Sequence, residues 1–286
     1  MVSAIEACTG VKVRSHRRIN TGWENYVIEV NDRYIFRFPR FQTSWKRTKK
    51  EILLTPLLAK HLRAHVPEYK FVWEGDRKFP ERFAGYRKIE GEPLTERNFR
   101  HAWLPTLGRD LGKFLTELHG LRLPRAVSPE VPSYTPKSWA MNTREFYQKV
   151  RRYAYPALSA DAREKADTFW SRLLSNFETA DFDPTFIHGD LTGGNVILDR
   201  GAMRGVIDWG DAEFADPALD FVGFFQTDRR LGRAVLESYR KETRGFLDRI
   251  DLYLKTIPFG EVAWGVQQRS DYHRWLGLKH LAHWTP

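Results

Sequence analysis

Short apolar runs separated by polar turns fill the first third of the chain. They are rich in Val, Ile, Phe and Tyr, and one of the turns between them is Asn31-Asp32. Runs of this composition, bounded by Asn, Asp and Gly, are typical of β-strands and hairpins. We therefore predict strands over five segments: 11–20, 25–30, 33–38, 69–73 and 82–89. A short helix over residues 2–9, ended by Gly10, is predicted before them.

Most of the remaining chain repeats apolar residues at intervals of three and four, which is the spacing of one helix face. We predict helices over 44–65, 104–119, 141–155, 160–177, 217–225, 231–239, 246–259 and 262–283. Pro56 is expected to break or kink the first of them, because proline lacks an N–H and crowds the preceding turn. The segment 121–137 contains four prolines and is predicted to be an irregular connection.

Between these helices, short β-branched runs over 185–187, 196–198 and 206–207 end at polar residues that suit phosphoryl transfer. That reaction needs a carboxylate beside the attacking hydroxyl and oxygen ligands for Mg²⁺ near the phosphates. We predict Asp190 as the catalytic base and Asn195 and Asp208 as the Mg²⁺ ligands. His-Gly-Asp and Asp-Trp-Gly then stand in place of His-Arg-Asp and Asp-Phe-Gly of the kinase template. The alternative is that both aspartates only cap turns.

The segments 186–199 and 205–220 resemble the signature of the aminoglycoside phosphotransferase family. The wider group also holds macrolide, choline, ethanolamine and homoserine kinases. The resemblance implies an α+β, protein-kinase-like two-lobed fold, with a nucleotide-binding lobe over 1–91 built on an antiparallel sheet. A mostly helical lobe over 92–286 would carry the catalytic loop, the metal loop and the acceptor cleft. The implied enzyme is a small-molecule kinase that moves the γ-phosphate of ATP or GTP to a hydroxyl.

The resemblance also assigns two charged residues of the predicted N-terminal lobe. Arg37 stands on the third strand, where the family usually carries a Lys that grips the α- and β-phosphates, and Arg can bind phosphate bidentately. Glu51 stands where the family places the acid that pairs with this cation. The local alternative is a capping box over 48–51, in which Glu51 would bind the backbone.

Backbone groups of a hinge are the remaining nucleotide contacts that the resemblance implies. The hinge residues are Lys88, Ile89, Glu90 and Gly91. Side chains say little about which of these groups bond the purine, so adenine and guanine both remain open. The link 21–24 contains one glycine only, which weakens the expectation of a glycine-rich loop closing over the phosphates.

Composition and charge limit the compartment and the partners that are expected for this protein. A single cysteine, Cys8, excludes an internal disulfide and suits a reducing compartment, and no apolar run resembles a signal peptide or a membrane span. We expect a cytoplasmic protein with no membrane partner. The net charge is +10, and residues 1–100 hold 21 basic against 12 acidic residues. That excess suits a nucleotide, or is a solvated surface; nucleic acid is disfavoured because no zinc-ligand or basic-aromatic RNA motif accompanies it.

The acceptor is left open by the sequence. A net-positive protein is a poor attractor for a polycationic aminoglycoside, so we expect weak or narrow aminoglycoside use, or another hydroxyl substrate. Carboxylates of the last third are the candidate acceptor contacts: Asp211, Glu213, Asp228, Glu237, Glu242 and Asp271. Macrolides, sugars and amino alcohols are alternative acceptors, and the oligomeric state is not indicated.

Two rival functions are disfavoured. A protein kinase needs an activation loop, but no Ala-Pro-Glu follows Asp208, and the turn at Asp216-Pro217 comes within eight residues. A non-catalytic nucleotide-binding module would not need the base and both metal ligands.

Asp216, with Pro217 at the first helical position, is predicted to cap a helix. Asp216, Asp220 and His119 are therefore expected to be structural.

Overall fold

The computed structural model describes residues 1–19, 24–124, 127–178, 182–240 and 245–284. The helices are α1 Val2–Thr9, α2 Gln42–His61, α3 Leu104–Leu118, α4 Pro136–Tyr153, α5 Ala160–Glu178, α6 Val222–Thr227, α7 Arg229–Ser238, α8 Phe246–Gln267 and α9 Asp271–Leu281. The strands are β1 His16–Ile19, β2 Asn25–Val30, β3 Tyr34–Pro39, β4 Tyr69–Trp73, β5 Phe83–Arg87, β6 Glu92–Pro93, β7 Thr185–Ile187, β8 Val196–Asp199, β9 Ala202–Val206 and β10 Glu213–Ala215.

The first five strands form one antiparallel sheet in the order β1-β2-β3-β5-β4. Because side chains alternate across a strand, the register divides the sheet into two faces. The outer face packs Ile28, Phe36 and Phe83 against Ile5 of α1 in a small apolar core. The opposite face, which carries Arg37 and is called the inner face below, is directed at α2 and the turn after β9.

The rest of the chain is mostly helical and encloses a second, larger core. Leu107, Leu111 and Leu115 of α3 are completely buried there. Helices α8 and α9 lie against each other, and Gly277 permits this close approach because an added Cβ would clash with Val262. Two small antiparallel sheets, β10-β7 and β6-β8-β9, support the segments with the candidate catalytic residues.

The sheet and the helical part are joined behind the hinge by backbone hydrogen bonds. The N–H of His65, in the loop before β4, donates to the Arg204 carbonyl at 3.0 Å, and the Val206 N–H donates to the His65 carbonyl at 2.8 Å. Gly91 has a φ of 124°, and a Cβ there would strike the Leu198 carbonyl, so only glycine fits. The predicted lobe boundary at residue 91 stays a prediction.

Two predicted helix breaks are absent from the structure, although a kink at Pro56 stays a prediction. Helix α2 continues through Pro56 without ending, since buried Leu54 and Leu58 hold both sides of the proline in the core. Helix α8 likewise runs through Pro258, so the predicted break near residue 260 is wrong, and the chain turns at Gln268–Ser270 instead. Proline in a helix interior typically costs about 3 kcal/mol, because one hydrogen bond is lost and the ring crowds the preceding turn. Packing of the flanking turns in the core offsets this cost.

The first predicted strand is also shorter in the structure. β1 begins at His16 rather than at residue 11, and residue 20 lies outside the described part. The preceding N–H groups are bound by side chains instead of by a neighbouring strand: Val13 donates to Glu6 and Arg14 donates to Asn31, at 2.9 and 2.8 Å. Among the described helices, none combines the length and apolar composition that a bilayer crossing requires.

Candidate active site

The loop after β7 is held in place by one buried carboxylate. Asp220, which has no exposed surface, accepts the His188 N–H at 2.9 Å and the Gly189 N–H at 3.0 Å. The His188 Nε2 donates to the Ile207 carbonyl at 3.0 Å, which ties this loop to the turn after β9. Gly189 has a φ of 80°, and a Cβ would lie 2.5 Å from the Asp211 carbonyl, which explains glycine in the His-Gly-Asp motif.

Asp190 and Asn195 are brought together in this loop. The Asn195 amide donates to the Asp190 carbonyl at 2.7 Å and to the Asp190 Oδ2 at 3.2 Å. Asp190 is exposed, yet desolvation by the surrounding protein and the charges of Asp211 and Asp208 raise its pKa to about 6, against the attraction of His188. The carboxylate is therefore mostly ionised at pH 7 and can accept a proton.

Arg37 connects the sheet, α2 and the turn after β9. Its Nη1 donates to Glu51 at 2.6 Å and to the Tyr69 hydroxyl at 3.1 Å, and its Nη2 donates to Asp208 at 2.7 Å. Glu51 is completely buried and also accepts the Trp209 N–H at 3.2 Å. Desolvation opposes the charge on Asp208, but attraction and hydrogen bonding from Arg37 outweigh it and lower the Asp208 pKa below its ordinary value.

The capping-box alternative for Glu51 does not describe the structure. Thr48 lies in the interior of α2, where its hydroxyl donates to the Ser44 carbonyl at 3.0 Å, so no helix begins there. Asp208 itself adopts φ 67° and ψ 61°, which is rare for a residue with a side chain. Such a conformation persists only when the surroundings impose it, here the Arg37 ion pair and the Trp209 contact to Glu51.

The oxygen atoms of Asp208 and Asn195 are suitable ligands for Mg²⁺. One Asp208 oxygen binds Arg37, while its Oδ2 and the Asn195 Oδ1 accept no hydrogen bond from the described residues. Both are hard oxygens, and Mg²⁺ takes only one or two carboxylates and completes its shell with water and phosphate. Across the described ranges, no cluster of three or more His, Cys, Asp or Glu forms an all-protein metal cage. Asn195 and Asp208 are thus the residues that could hold this ion.

The predicted hinge residues divide into two groups. The Lys88 N–H is already bound to the Arg33 carbonyl at 2.9 Å, and Gly91 is needed for the sharp turn toward β6. The backbone groups of Ile89 and Glu90 make no hydrogen bond with described residues, so they remain available to a base. Lys88, Ile89 and Glu90 also border a cavity of about 330 Å³ behind the hinge, away from Arg37.

Of the predicted acceptor carboxylates that the structure describes, Asp211 and Glu213 lie near each other, and the others lie elsewhere. Asp211 pairs with Arg47 of α2 at 3.1 Å, and Glu213 lies half-buried near Lys50. Asp228 caps α7 by accepting the Arg230 N–H at 2.7 Å. Asp271 lies in the first turn of α9. Glu242 and residues 21–23 of the glycine-poor link lie outside the described residues.

Glu237 borders a second cavity, of about 570 Å³, between α7 and α8. Phe225 of α6 lines the same cavity. On α6, Gly223 and Thr227 face the catalytic loop, because Cβ atoms added at Gly223 and at Gly193 would touch Thr192 and Thr227 respectively. Phe225 lies between those positions in the sequence and therefore points to the other side of α6. Glu237 is thus separated from Asp190 by this helix.

Glu213 gives a prediction for stability against pH. Burial is the main cause that raises its pKa to about 7, and Lys50 only partly opposes it. The folded state therefore holds a proton that the unfolded state has lost between about pH 4.5 and pH 7, so this residue makes stability fall as pH rises through that window. In urea unfolding, Glu213→Gln should lose this part of the pH dependence. Glu68→Gln, at an exposed site, should keep the wild-type dependence; identical curves for wild type and Glu213→Gln would contradict the prediction.

Several contacts around the site were missed from the sequence. Asp220 was expected to be structural; it holds the catalytic loop and also accepts from His119 Nε2 at 3.1 Å. Arg47, Tyr69 and Glu29 were not singled out. Tyr69 contacts Arg37, Arg47 reaches Asp211, and Glu29 lies on the neighbouring strand β2. These positions follow from strand and helix register, which is not visible in the sequence alone.

Comparison with known proteins agrees with this geometry. The family model described as "Phosphotransferase enzyme family" matches residues 15–253. The uncharacterized protein YcbJ of Bacillus subtilis (strain 168) is 25% identical over 225 residues, which cover 72% of this chain and 68% of that protein. Viomycin phosphotransferase of Streptomyces vinaceus is 32% identical over 119 residues, 39% of this chain and 37% of that protein.

Among solved structures, the GDP and kanamycin complex of APH(2")-IIia superposes with a TM-score of 0.87 at 24% identity and covers 99% of this chain and 97% of that chain. This likeness confirms the predicted α+β, protein-kinase-like fold. The family match takes in both the strand with Arg37 and the loop with Asp190. The chain therefore belongs to the phosphotransferase enzyme family, in agreement with its sequence resemblance to the aminoglycoside phosphotransferases.

Proposed function

We propose that this chain is a small-molecule kinase that transfers the γ-phosphate of ATP or GTP to a hydroxyl of a small acceptor. The observation that carries the proposal is the placement of one candidate base and two oxygen ligands in adjoining turns, one of which is paired with a buried arginine. Asn195 binds Asp190 at 2.7–3.2 Å, Arg37 binds Asp208 at 2.7 Å, and the N–H of Ile207, next to Asp208, donates to the Asn195 carbonyl at 2.9 Å. Turn-capping aspartates would not need this arrangement.

In the proposed reaction Asp190 accepts the proton of the acceptor hydroxyl. The oxygen of that hydroxyl forms a bond to the γ-phosphorus, and the bond from the γ-phosphorus to the β,γ-bridging oxygen breaks. The nucleoside diphosphate leaves with the electron pair. The pKa of about 6 supports this role, because the base is ionised at neutral pH but is not too weak to take the proton.

The charge of the phosphates is met by Arg37 and by the metal ligands. Arg37 stays positive in every pH range of interest, and Glu51 fixes its orientation through the 2.6 Å contact. Asn195 and Asp208 would hold Mg²⁺, which when bound neutralises developing charge on the phosphates. Ile89 and Glu90 would bond the base edge through their free backbone groups. We also propose that residues 1–91 and 92–286 form the two lobes and that the protein is cytoplasmic.

For the acceptor, we propose weak or narrow use of aminoglycosides, or another hydroxyl compound. The positions of the predicted carboxylates support this: Asp211 and Glu213 lie near each other but face Arg47 and Lys50, Asp228 is a helix cap, and Glu237 lies beyond α6. A polycation needs several carboxylates in one place. The related structure carries kanamycin and a relative is a viomycin phosphotransferase, so these two compounds are the first acceptors to test.

The test is transfer of label from γ-³²P nucleotides to an acceptor panel. The panel holds kanamycin and several other aminoglycosides, viomycin, a macrolide, a sugar, an amino alcohol and a protein. We expect labelled product with at least one small hydroxyl compound, slow or no labelling of most aminoglycosides, and no labelled protein. Fast labelling across many aminoglycosides would contradict the acceptor proposal. Absence of any transfer, together with no Mg²⁺-dependent nucleotide binding, would overturn the kinase itself and leave a fold without this activity.

A further inference from the structure

A charged cluster on the inner face of the N-terminal sheet is not used by the mechanism above. Glu29 of β2 is only 2% exposed and binds two cations. Its Oε2 accepts from Arg17 of β1 at 2.6 Å, and its Oε1 accepts from the Lys88 ammonium at 2.5 Å. Although burial opposes the charge, the two cations lower the Glu29 pKa to about 2. Glu29 is therefore ionised at neutral pH; Glu29, Arg17 and Lys88 together carry one positive charge, which the nearby carboxylate of Asp32 offsets.

The register places this cluster beside the nucleotide cleft. Glu29 pairs with Ile35, and Ile35 pairs with Tyr86, so these residues share the inner face with Arg37, two positions farther along β3. Two residues of a strand span about 7 Å. Lys88 leaves the hinge and must cross β3 to reach Glu29 on β2. Its ammonium thus lies on the hinge side of Arg37, where the base would lie if Arg37 holds the phosphates.

The chemistry of Lys88 favours one kind of base. An ammonium has three N–H donors and no acceptor, and one donor is bound to Glu29. No other described residue takes the remaining two, and 28% of the Lys88 side chain is exposed, so these donors are available to a ligand. Guanine presents two adjacent acceptors, O6 and N7, whereas adenine places a donor amino group beside N7. A lysine therefore matches guanine and opposes the adenine amino group.

We propose that Lys88, oriented by Glu29, is a specificity-determining residue that selects guanine over adenine nucleotides. This inference rests on the proposed kinase function, since it needs a nucleotide in the same cleft. Arg17 contributes by binding the second oxygen of Glu29, which leaves Lys88 only partly neutralised. Glu29 acts through Lys88 and is a positioning residue.

The test is calorimetric binding of GDP, IDP and ADP with Mg²⁺ to the full chain. IDP keeps O6 and N7 but lacks the 2-amino group, so it isolates the contact assigned to Lys88. We expect GDP and IDP to bind more tightly than ADP by roughly 5- to 100-fold, the range for one good base contact. In Lys88→Met, GDP and IDP should weaken to the level of ADP. In Glu29→Gln the preference should shrink because the ammonium is less well held.

Lys70→Met is the matched control, because Lys70 is an exposed lysine that borders the cavity behind the hinge. It should keep the wild-type preference. The double variant Glu29→Gln/Lys88→Met leaves no buried carboxylate with a missing partner, so it tests the same contact if a single variant folds poorly. Equal affinity of wild type for all three nucleotides, or an unchanged ratio in Lys88→Met, would overturn this inference alone. Absence of Mg²⁺-dependent binding of every nucleotide would instead overturn the proposed function beneath it.

Discussion

Replacing Asp190 with asparagine is expected to lower kcat by about 10²- to 10⁴-fold, the usual contribution of a general base. Asparagine keeps the size of the side chain and the hydrogen bond from Asn195, but it cannot take the hydroxyl proton. Nucleotide affinity should survive, because Arg37, Asp208 and the free hinge groups are unchanged. Initial rates with the acceptor from the labelling panel, and calorimetric titration of the nucleotide with Mg²⁺, measure the two quantities separately.

Two further variants provide a contrast and a control for this result. Asp208→Asn should lower Mg²⁺-dependent nucleotide affinity, because it removes the carboxylate that also pairs with Arg37. Asp199→Asn is the matched control, since Asp199 is an exposed aspartate at the end of β8 and is expected to change neither quantity. Wild-type turnover in Asp190→Asn would remove the assignment of the base, whatever the nucleotide titrations show.

The second large effect is on folding. Arg37→Met leaves Glu51 completely buried without its cation, and breaking a buried ion pair from one side typically costs about 3–5 kcal/mol. The Trp209 N–H still donates to Glu51, but a neutral donor does not replace a guanidinium. Urea unfolding should therefore show a much lower free energy of unfolding, and nucleotide affinity should fall in the same variant because the phosphate contact is lost.

The partner variants test whether this cost comes from the unpaired carboxylate. Arg37→Met combined with Glu51→Gln should recover part of the lost stability, since no buried charge is then left alone. Arg87→Met, at an exposed arginine of β5, should cost less than about 1 kcal/mol, as surface substitutions usually do. If Arg37→Met lowered the free energy of unfolding no more than Arg87→Met does, the assignment of Arg37 as a stabilising residue would be wrong.

The part of the site that the sequence predicts well is the part set by short spacing. Asp190 and Asn195 lie five residues apart in one loop, so their hydrogen bond depends on local geometry alone. Arg37 and Asp208 are 171 positions apart; the polar residues at the strand ends predicted Asp208 as a metal ligand, whereas only the family resemblance assigned Arg37 to the phosphates. Glu51 had two interpretations from the sequence. The completely buried ion pair with Arg37 decides between them, because burial depends on how α2 packs against the sheet.

The features that the sequence did not predict depend on long-range packing. The Glu29–Lys88 pair requires the strand register, and a shift of one residue would turn Glu29 to the outer face. Pro56 was expected to break or kink its helix, and the helix through Pro258 was predicted as two helices, because local sequence rules do not include the core that holds the flanking turns. The ion pair between Asp211 and Arg47 was not predicted either, because helix α2, which carries Arg47, is distant from Asp211 in the chain.

The two hydrogen bonds between His65 and β9 join backbone to backbone, so neither uses a side-chain atom. Exposed positions of this loop should therefore accept substitutions during evolution, but Gly205 of β9 should not, because a Cβ there would lie 2.5 Å from the His65 carbonyl. An insertion or deletion between α2 and β4 would misalign the junction. Chimeras that exchange the N-terminal sheet between relatives should succeed or fail according to the length of this loop rather than its composition.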